Sequence, residues 1–172
     1  MDESSEISLH YFHAKGRAEL IRLIMVYCDR PFLDHRLKYS EWPKFKELTP
    51  IGELPVLEMK NTNEDESFML CQSSTIVRRL ASMLKIDGDN ETEKAIVDET
   101  FECIRQLSEE ILQAKTERNE TLQMELFRKI RQFKAPPLLF HLERRAKINS
   151  TTVAGTGSVR HINLLRRLHS PP

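Results

Sequence analysis

The sequence lacks the features that mark membrane, secreted and metal-binding proteins. Its longest uncharged apolar run, residues 23–28, is far shorter than the roughly 20 residues of a transmembrane helix. The start of the chain is acidic, whereas a secretory signal begins basic and continues apolar. Its cysteines, Cys28, Cys71 and Cys103, are odd in number, and no pair has metal-ligand or redox-motif spacing. We therefore expect a cytoplasmic protein that neither enters a membrane nor requires a metal.

Acidic side chains are also missing from the last part of the sequence. No Asp or Glu follows Glu143, so residues 144–172 carry only basic charges, although the whole chain has a formal net charge of zero. A basic tail of this kind suits nucleic acid or anionic lipid. However, no aromatic residue follows Phe140 to stack on bases. We therefore favour a solvated tail over one that binds nucleic acid.

Up to about residue 84, the sequence mixes strand and helix patterns. Residues 7–12 alternate as a strand does, and an apolar helical stripe follows from Ala18. A second strand is predicted at residues 32–37, and a short helical turn at 42–48. Two further strands, at 54–59 and 68–70, are joined by a polar turn at 61–66, and a helix follows at 73–84. Ser73 looks like the N-cap of the last helix. This order predicts a small α/β sheet with one helical crossover and one hairpin.

The remainder of the chain has a helical pattern. Residues 85–92 read as a linker, and long apolar stripes at helical spacing follow them. Ala135-Pro136-Pro137 is expected to stop one helix and to start another over residues 138–146, and the helical period fades from Lys147 onward. The sequence therefore predicts an α/β domain followed by helices alone.

Several residues suit a binding site, although each is a weak signal when taken singly. Tyr11 on a strand is ordinarily a packed tyrosine. Arg17 at a helix start is badly placed for the helix dipole, and a bound anion would offset that cost. Ser73 and the backbone amides behind it suit an anion. A cis peptide is an option at Leu54–Pro55, although trans is the usual state.

Taken together, these residues form three motifs in a familiar order. They are Tyr11-Phe12 with Gly16-Arg17-Ala18-Glu19 and Ile21-Arg22, the run from Leu48-Thr49-Pro50 to Leu54-Pro55-Val56-Leu57, and Gln72-Ser73 with Ile76, Arg78 and Leu80. From about residue 7 to about residue 155 the chain resembles the cytosolic glutathione transferases, most closely the sigma class with its flatworm and haematopoietic prostaglandin D synthase branches. The resemblance implies a thioredoxin-like α/β domain over residues 5–84, the linker 85–92, a partial all-helical domain over 93–155 and a divergent basic tail over 156–172.

The resemblance also implies roles for individual residues. Tyr11 is expected to donate its hydroxyl hydrogen bond to the glutathione sulfur, with Arg17 in support. Trp42 and Lys46 are expected at the glycine end of the tripeptide. The segment Glu53-Leu54-Pro55, with a cis bond before Pro55, is expected to hold the cysteinyl part, and Gln72 and Ser73 the γ-glutamyl carboxylate. No metal takes part.

This set of side chains suits thiol chemistry. A free thiol has a pKa of about 8.5 and is mostly protonated at neutral pH. Making the thiolate dominant requires a shift of roughly two units, or about 2.7 kcal/mol. One hydrogen bond to a charged group supplies about 1.5–3 kcal/mol, so a single tyrosine hydroxyl is close to sufficient. The thiolate then attacks an electrophilic carbon.

Two positions depart from the family pattern. Where the family has an acidic residue that reaches glutathione across the dimer, the alignment places Arg105 and Gln106, with Glu102 and Glu109 a turn away. Where the family has a Thr-Trp-Ala-Asp type segment, the sequence reads Arg160-His161-Ile162-Asn163. We therefore expect a second domain that stops short, with weak stability and activity; a splice form, a frameshift or a gene-model error would each produce this.

Three functions are considered. The leading one is a homodimeric enzyme that conjugates glutathione to hydrophobic electrophiles or isomerises a prostaglandin endoperoxide with glutathione as cofactor. The second is a non-catalytic binding or crystallin-like protein, which the altered C-terminal sequence favours and Tyr11 disfavours. The third, nucleic-acid binding, depends on the basic tail alone.

Overall fold

A computed structural model describes residues 6–60 and 67–153 of the chain. The chain divides into two compact units between Asp89 and Asn90. The polar turn expected at 61–66 and the basic tail expected at 156–172 lie outside the described residues. Within the described ranges, every helix is too short or too polar to span a bilayer.

The first unit is a four-stranded mixed sheet with helices. Strand β1 lies at the centre, parallel to β2 and antiparallel to β3, which in turn pairs with β4 in antiparallel fashion. A 3₁₀ turn at Gly16–Ala18 precedes the first helix. The bounds are β1 (Glu6–Phe12), α1 (Glu19–Tyr27), β2 (Leu33–Leu37), α2 (Trp42–Lys46), β3 (Val56–Lys60), β4 (Ser67–Cys71) and α3 (Ser73–Met83). The predicted thioredoxin-like α/β arrangement is confirmed.

Alternation along the strands separates two faces of this sheet. Leu9 of β1 pairs with Leu57 of β3, and both are fully buried in the apolar core that includes α1 and α3. The helices contribute Ile21, Met25, Ile76 and Leu80 to this core, all of them fully buried. Burying one such side chain stabilises the fold by about 1.5–3 kcal/mol. The apolar stripe from Ala18 and the stripe after Ser73 thus produce the two helices that cover one face of the sheet.

The described part of the second unit is entirely helical, as predicted. Its bounds are α4 (Glu91–Thr116), α5 (Glu120–Lys129), a π-helical turn (Ile130–Lys134) and α6 (Ala135–Val153). The first two helices begin at asparagine caps. The side chain of Asn90 accepts from the backbone N–H of Glu93 at 3.0 Å, and that of Asn119 accepts from Leu122 at 3.1 Å. These bonds satisfy amide groups that have no partner inside the helix.

Three details of the helix predictions are wrong. Ala135-Pro136-Pro137 does not interrupt the helical backbone, which continues through the π turn, and α6 extends to Val153 rather than fading at Lys147. The N–H of Ala135 donates to the carbonyl of Ile130, a π-type bond, so the prolines fall in the first turn of α6, where a missing N–H is tolerated. At α3, Gln72 occupies the N-cap position with φ +71°, and Ser73 is the first helical residue.

Candidate functional site

The sheet brings most of the predicted site residues to one edge. His10 of β1 pairs with Val56 of β3, and Val56 pairs with Cys71 of β4. Tyr11 directly follows His10, Pro55 directly precedes Val56, and Gln72 directly follows Cys71. The parallel strand β2 ends at the same edge, because Tyr11 pairs with Arg36, and α2 follows it. Segments far apart in sequence therefore meet where β1 ends.

Tyr11 is half-buried, and its hydroxyl is fixed by the turn that follows β1. The backbone N–H of Arg17 donates to the Tyr11 hydroxyl oxygen at 3.3 Å. Arg17 was predicted to support this hydroxyl, and the described contact is made by its backbone. A tyrosine hydroxyl has one hydrogen to donate and two lone pairs, so accepting from Arg17 leaves the phenolic hydrogen for another acceptor.

Gly16 permits this contact and was not predicted as a site residue. Its φ of +45° lies in the left-handed region, and a Cβ there would come within 2.5 Å of the Tyr11 hydroxyl oxygen. The turn and the hydroxyl therefore fit only when residue 16 has no side chain. The signal in the sequence was the glycine that breaks the strand pattern directly before Arg17.

Arg22 belongs to the first motif, but no role in the site was predicted for it. It is buried, and its Nε donates to both carboxylate oxygens of Asp34 at 3.1 Å. Its Nη1 donates to the carbonyl oxygens of Ala14 and Lys15 at 2.9 and 3.3 Å. The guanidinium also lies 5.9 Å from the centre of the Tyr11 ring. Arg22 thus ties helix α1 to β2 and to the two residues that lead into Gly16.

The short helix α2 carries Trp42 and Lys46. The Trp42 ring contacts Phe12 edge to face, with centroids 5.7 Å apart. The Lys46 side chain crosses the loop before β3, where its Cε lies 3.0 Å from the position that a Cβ on Gly52 would take. Gly52 has φ +68°, in the left-handed region. The Lys46 side chain therefore lies against a left-handed residue of this loop.

The remaining predicted residues join the loop before β3 to the start of α3. The peptide bond between Leu54 and Pro55 is cis. The side-chain amide of Gln72 donates to a carboxylate oxygen of Glu53 at 2.9 Å. Ser73 opens α3, where the first amides lack carbonyl partners within the helix. The roles of these residues toward a ligand stay predictions.

Cys71 lies directly before Gln72, but its thiol is poorly suited to act as a nucleophile. Burial is the main cause that raises its pKa above the usual value, with the carboxylate of Glu53 adding to the effect.

Among the described residues there is no group of three or more histidine, cysteine or acidic side chains placed to hold a metal ion.

In the second unit, Arg105 and Gln106 have different surroundings. Arg105 donates to Glu102 at 2.7 Å and to Glu109 at 2.6 Å, so all three side chains form one ion-pair group. Gln106 lines a cavity of about 320 Å³ whose walls also contain Lys134 and His141. That Arg105 and Gln106 stand where the family has its acidic residue stays a prediction.

Comparison with known proteins identifies similar chains. The haematopoietic prostaglandin D synthase of Rattus norvegicus is 35% identical over 135 residues, which is 78% of this chain and 64% of that protein. The probable glutathione S-transferase 8 of Caenorhabditis elegans is 36% identical over 103 residues, 60% of this chain and 47% of that protein. No protein-family model matches the chain. The chain thus spans just under two thirds of the rat relative's length.

Solved structures agree on the fold. The sigma class glutathione transferase of Fasciola hepatica superposes with a TM-score of 0.70 at 23% identity, covering 91% of this chain and 70% of that one. At this identity the likeness concerns the fold alone.

Proposed function

We propose, because this chain is a sigma-like member of the cytosolic glutathione transferase family, that it transfers the thiolate of glutathione to electrophilic small molecules. The observation that carries the proposal is the hydroxyl of Tyr11. It lies at the edge of the sheet where β1 ends, fixed by the N–H of Arg17, with its own hydrogen available. A sulfur placed within hydrogen-bond distance of that oxygen is stabilised as the thiolate.

The neighbouring residues supply what the rest of the tripeptide needs. Lys46 and Trp42, both on α2, bind the glycine end. The backbone of Leu54, which precedes the cis bond to Pro55, pairs with the cysteinyl part in the manner of an added strand. Ser73 and the free amides at the start of α3 hold the γ-glutamyl carboxylate, and Gln72 is held in place for this by Glu53. Each assignment supports the proposal through residue type and position on the same edge.

A second activity is suggested by the name of a relative. The rat protein with 35% identity is a haematopoietic prostaglandin D synthase, so we propose glutathione-dependent isomerisation of a prostaglandin endoperoxide as a further reaction at this site. Incubation with such an endoperoxide and analysis of the products tests this directly. A non-catalytic binding or crystallin-like role is the alternative, and it predicts glutathione binding without turnover of any electrophile.

The assembly and the cellular location of the protein are also proposed. We propose a cytoplasmic homodimer whose interface includes α4, where Val97 and Ile104 are partly exposed apolar residues. Sedimentation at tens of micromolar protein tests the dimer. A single monomeric species would contradict it.

Turnover of a generic aryl halide with glutathione tests the main proposal. Tyr11→Phe is expected to lower kcat about 10–100-fold, because one hydrogen bond to the developing reactive anion is removed, while glutathione affinity changes little. Tyr39→Phe is the matched control, since Tyr39 is exposed and the change keeps its ring stacked on Phe12. Equal turnover of wild type and Tyr11→Phe would refute the role of Tyr11.

A further inference from the structure

Three titratable side chains form a hydrogen-bonded network on the sheet face opposite the apolar core. Nε2 of His10 lies 3.0 Å from a carboxylate oxygen of Glu58, and Nδ1 of His10 lies 2.9 Å from Nδ1 of His35. The side chains of His10 and Glu58 are only 8% and 14% exposed, whereas His35 is exposed. This network therefore runs from the buried carboxylate of Glu58 through the buried imidazole of His10 to the exposed imidazole of His35.

Hydrogen-bond geometry limits the number of protons that this network can hold. With Glu58 ionised, Nε2 of His10 must carry a hydrogen, so Nδ1 of a neutral His10 accepts from His35. One additional proton on the pair is tolerated, because either ring can donate across the Nδ1–Nδ1 contact. A second additional proton puts two N–H groups face to face at a separation of 2.9 Å. The bond is then lost, and the two positive rings repel each other.

Helix α2 rests on this pair of imidazoles. The Phe45 ring lies 4.9 Å from the His10 ring and 6.0 Å from the His35 ring, measured between centroids. Phe45 stands in the same five-residue helix as Trp42 and Lys46. A helix this short derives little rigidity from its own hydrogen bonds. Its position on the sheet consequently depends on the surface that Phe45 contacts.

The charges around His10 come from every neighbouring element. Glu58 and Lys60 lie on β3, with Lys60 3.7 Å from Glu58, and Glu6 of β1 is paired in register with Lys60. His35 on β2 also acts on His10. The other titratable side chains of the neighbouring elements are Cys71 on β4 and Lys44 and Lys46 on α2. Burial lowers the pKa of His10 below 6.5, although Glu58 acts in the opposite direction. Burial therefore favours the neutral form of His10.

We propose that His10 and His35 are positioning residues for the glutathione-binding side of α2, and that protonating this pair displaces Phe45 together with Trp42 and Lys46. The inference rests on the proposed function for its consequence, which is that affinity at the glycine end of glutathione falls in mildly acidic solution. The displacement itself belongs to the free protein. It can therefore be measured with no ligand present.

The fluorescence of Trp42 tests the displacement, because Trp42 is the only tryptophan of the chain. Wild-type protein without ligand, titrated from pH 7.5 to 5.5, is expected to show a transition with a midpoint below pH 6.5. His10→Gln retains hydrogen-bonding groups but cannot titrate, so the transition is expected to disappear. His13→Gln removes an exposed histidine near the end of the same strand and should leave it unchanged. A pH-independent signal in wild type, or an unchanged transition in His10→Gln, overturns the proposal.

Binding of S-methylglutathione tests the consequence. Its sulfur is a thioether without an ionisable proton, and its carboxylates and amino group keep their charges between pH 7 and 5.5. Wild type and His13→Gln are expected to lose about 3–10-fold in affinity over this range, which corresponds to a pKa change of about 0.5–1 unit on binding, whereas His10→Gln loses less than twofold. Absence of binding at pH 7 would refute the proposed function and leave the fluorescence result to stand alone. Binding that does not depend on pH in wild type would refute the positioning role.

Discussion

The first unit has a fully buried apolar core, although side chains such as Leu33 and Phe68 stay exposed, whereas the described helices of the second unit bury few apolar side chains. In the first unit, both covering helices and the central strands contribute fully buried residues such as Leu9, Ile21 and Leu80. In the described part of the second unit, the buried apolar residues are Ala114 and Ile130. Its exposed ones include Ile104, Leu112, Met124, Phe133, Leu139 and Phe140.

This difference shows what stabilises each unit. Core burial holds the sheet of the first unit together, and the site lies at the edge of that sheet. The described helices of the second unit are held in larger part by local interactions, such as the asparagine caps and the Arg105 ion-pair group. Exposed ion pairs contribute little to stability. The two units should therefore respond differently to equivalent substitutions.

The largest expected effect concerns leucine-to-alanine changes. Leu9→Ala in the first unit is expected to lower the free energy of unfolding by about 2–5 kcal/mol, because it removes a fully buried side chain from a packed core. Leu139→Ala in the second unit, where the side chain is 59% exposed, is expected to cost about 0.5 kcal/mol or less. Urea denaturation followed by circular dichroism measures both. Equal losses would break the comparison.

Gly16→Ala sharpens the comparison by testing whether the rigid first unit fixes the site. The new Cβ would come within 2.5 Å of the Tyr11 hydroxyl oxygen, so we expect kcat with glutathione to fall about 10–100-fold. Gly88→Ala is the matched control, since it also places a side chain at positive φ but in the segment that follows α3. Retention of full turnover in Gly16→Ala would mean that the turn adjusts and that the site is less rigid than the core beneath it.

The smallest expected effect lies in a helix cap of the second unit. Asn90→Ala removes the acceptor for the Glu93 amide and is expected to cost about 1 kcal/mol. Asn90→Asp keeps an acceptor and should cost much less. The helical signal at low urea concentration is the measurement of choice, because a local loss at α4 should precede unfolding of the first unit. Simultaneous loss of both units would indicate that they unfold as one.

The fold was predictable from the sequence to the extent that periodicity determines it. The strand from residue 7 and the apolar stripes of α1 and α3 depend on local pattern, and the structure confirms them. The path of the helix across Pro136 and Pro137 was not predictable, because a π turn shifts the bonding so that both prolines fall in the first turn of α6. The usual expectation that proline ends a helix does not allow for a π turn before it.

The site was predictable in its residue types but not in its support. Tyr11 and Gln72 stand in recognisable motifs, and strand register brings them to one edge. The burial of Arg22 against Asp34 and the contact of His10 with His35 depend on residues that β2 brings close only after folding. A single sequence gives no measure of such cross-strand contacts, so the side chains that position the site could not be identified in advance.

Ultraviolet titration of the thiolate of bound glutathione tests the central claim most directly. In wild type, we expect the pKa of the bound thiol to lie roughly two units below its free value of about 8.5, because the Tyr11 hydroxyl donates to the charged sulfur. In Tyr11→Phe, the same titration should return most of the way to the free value while glutathione remains bound. A bound thiol that titrates identically in the two proteins would contradict the account.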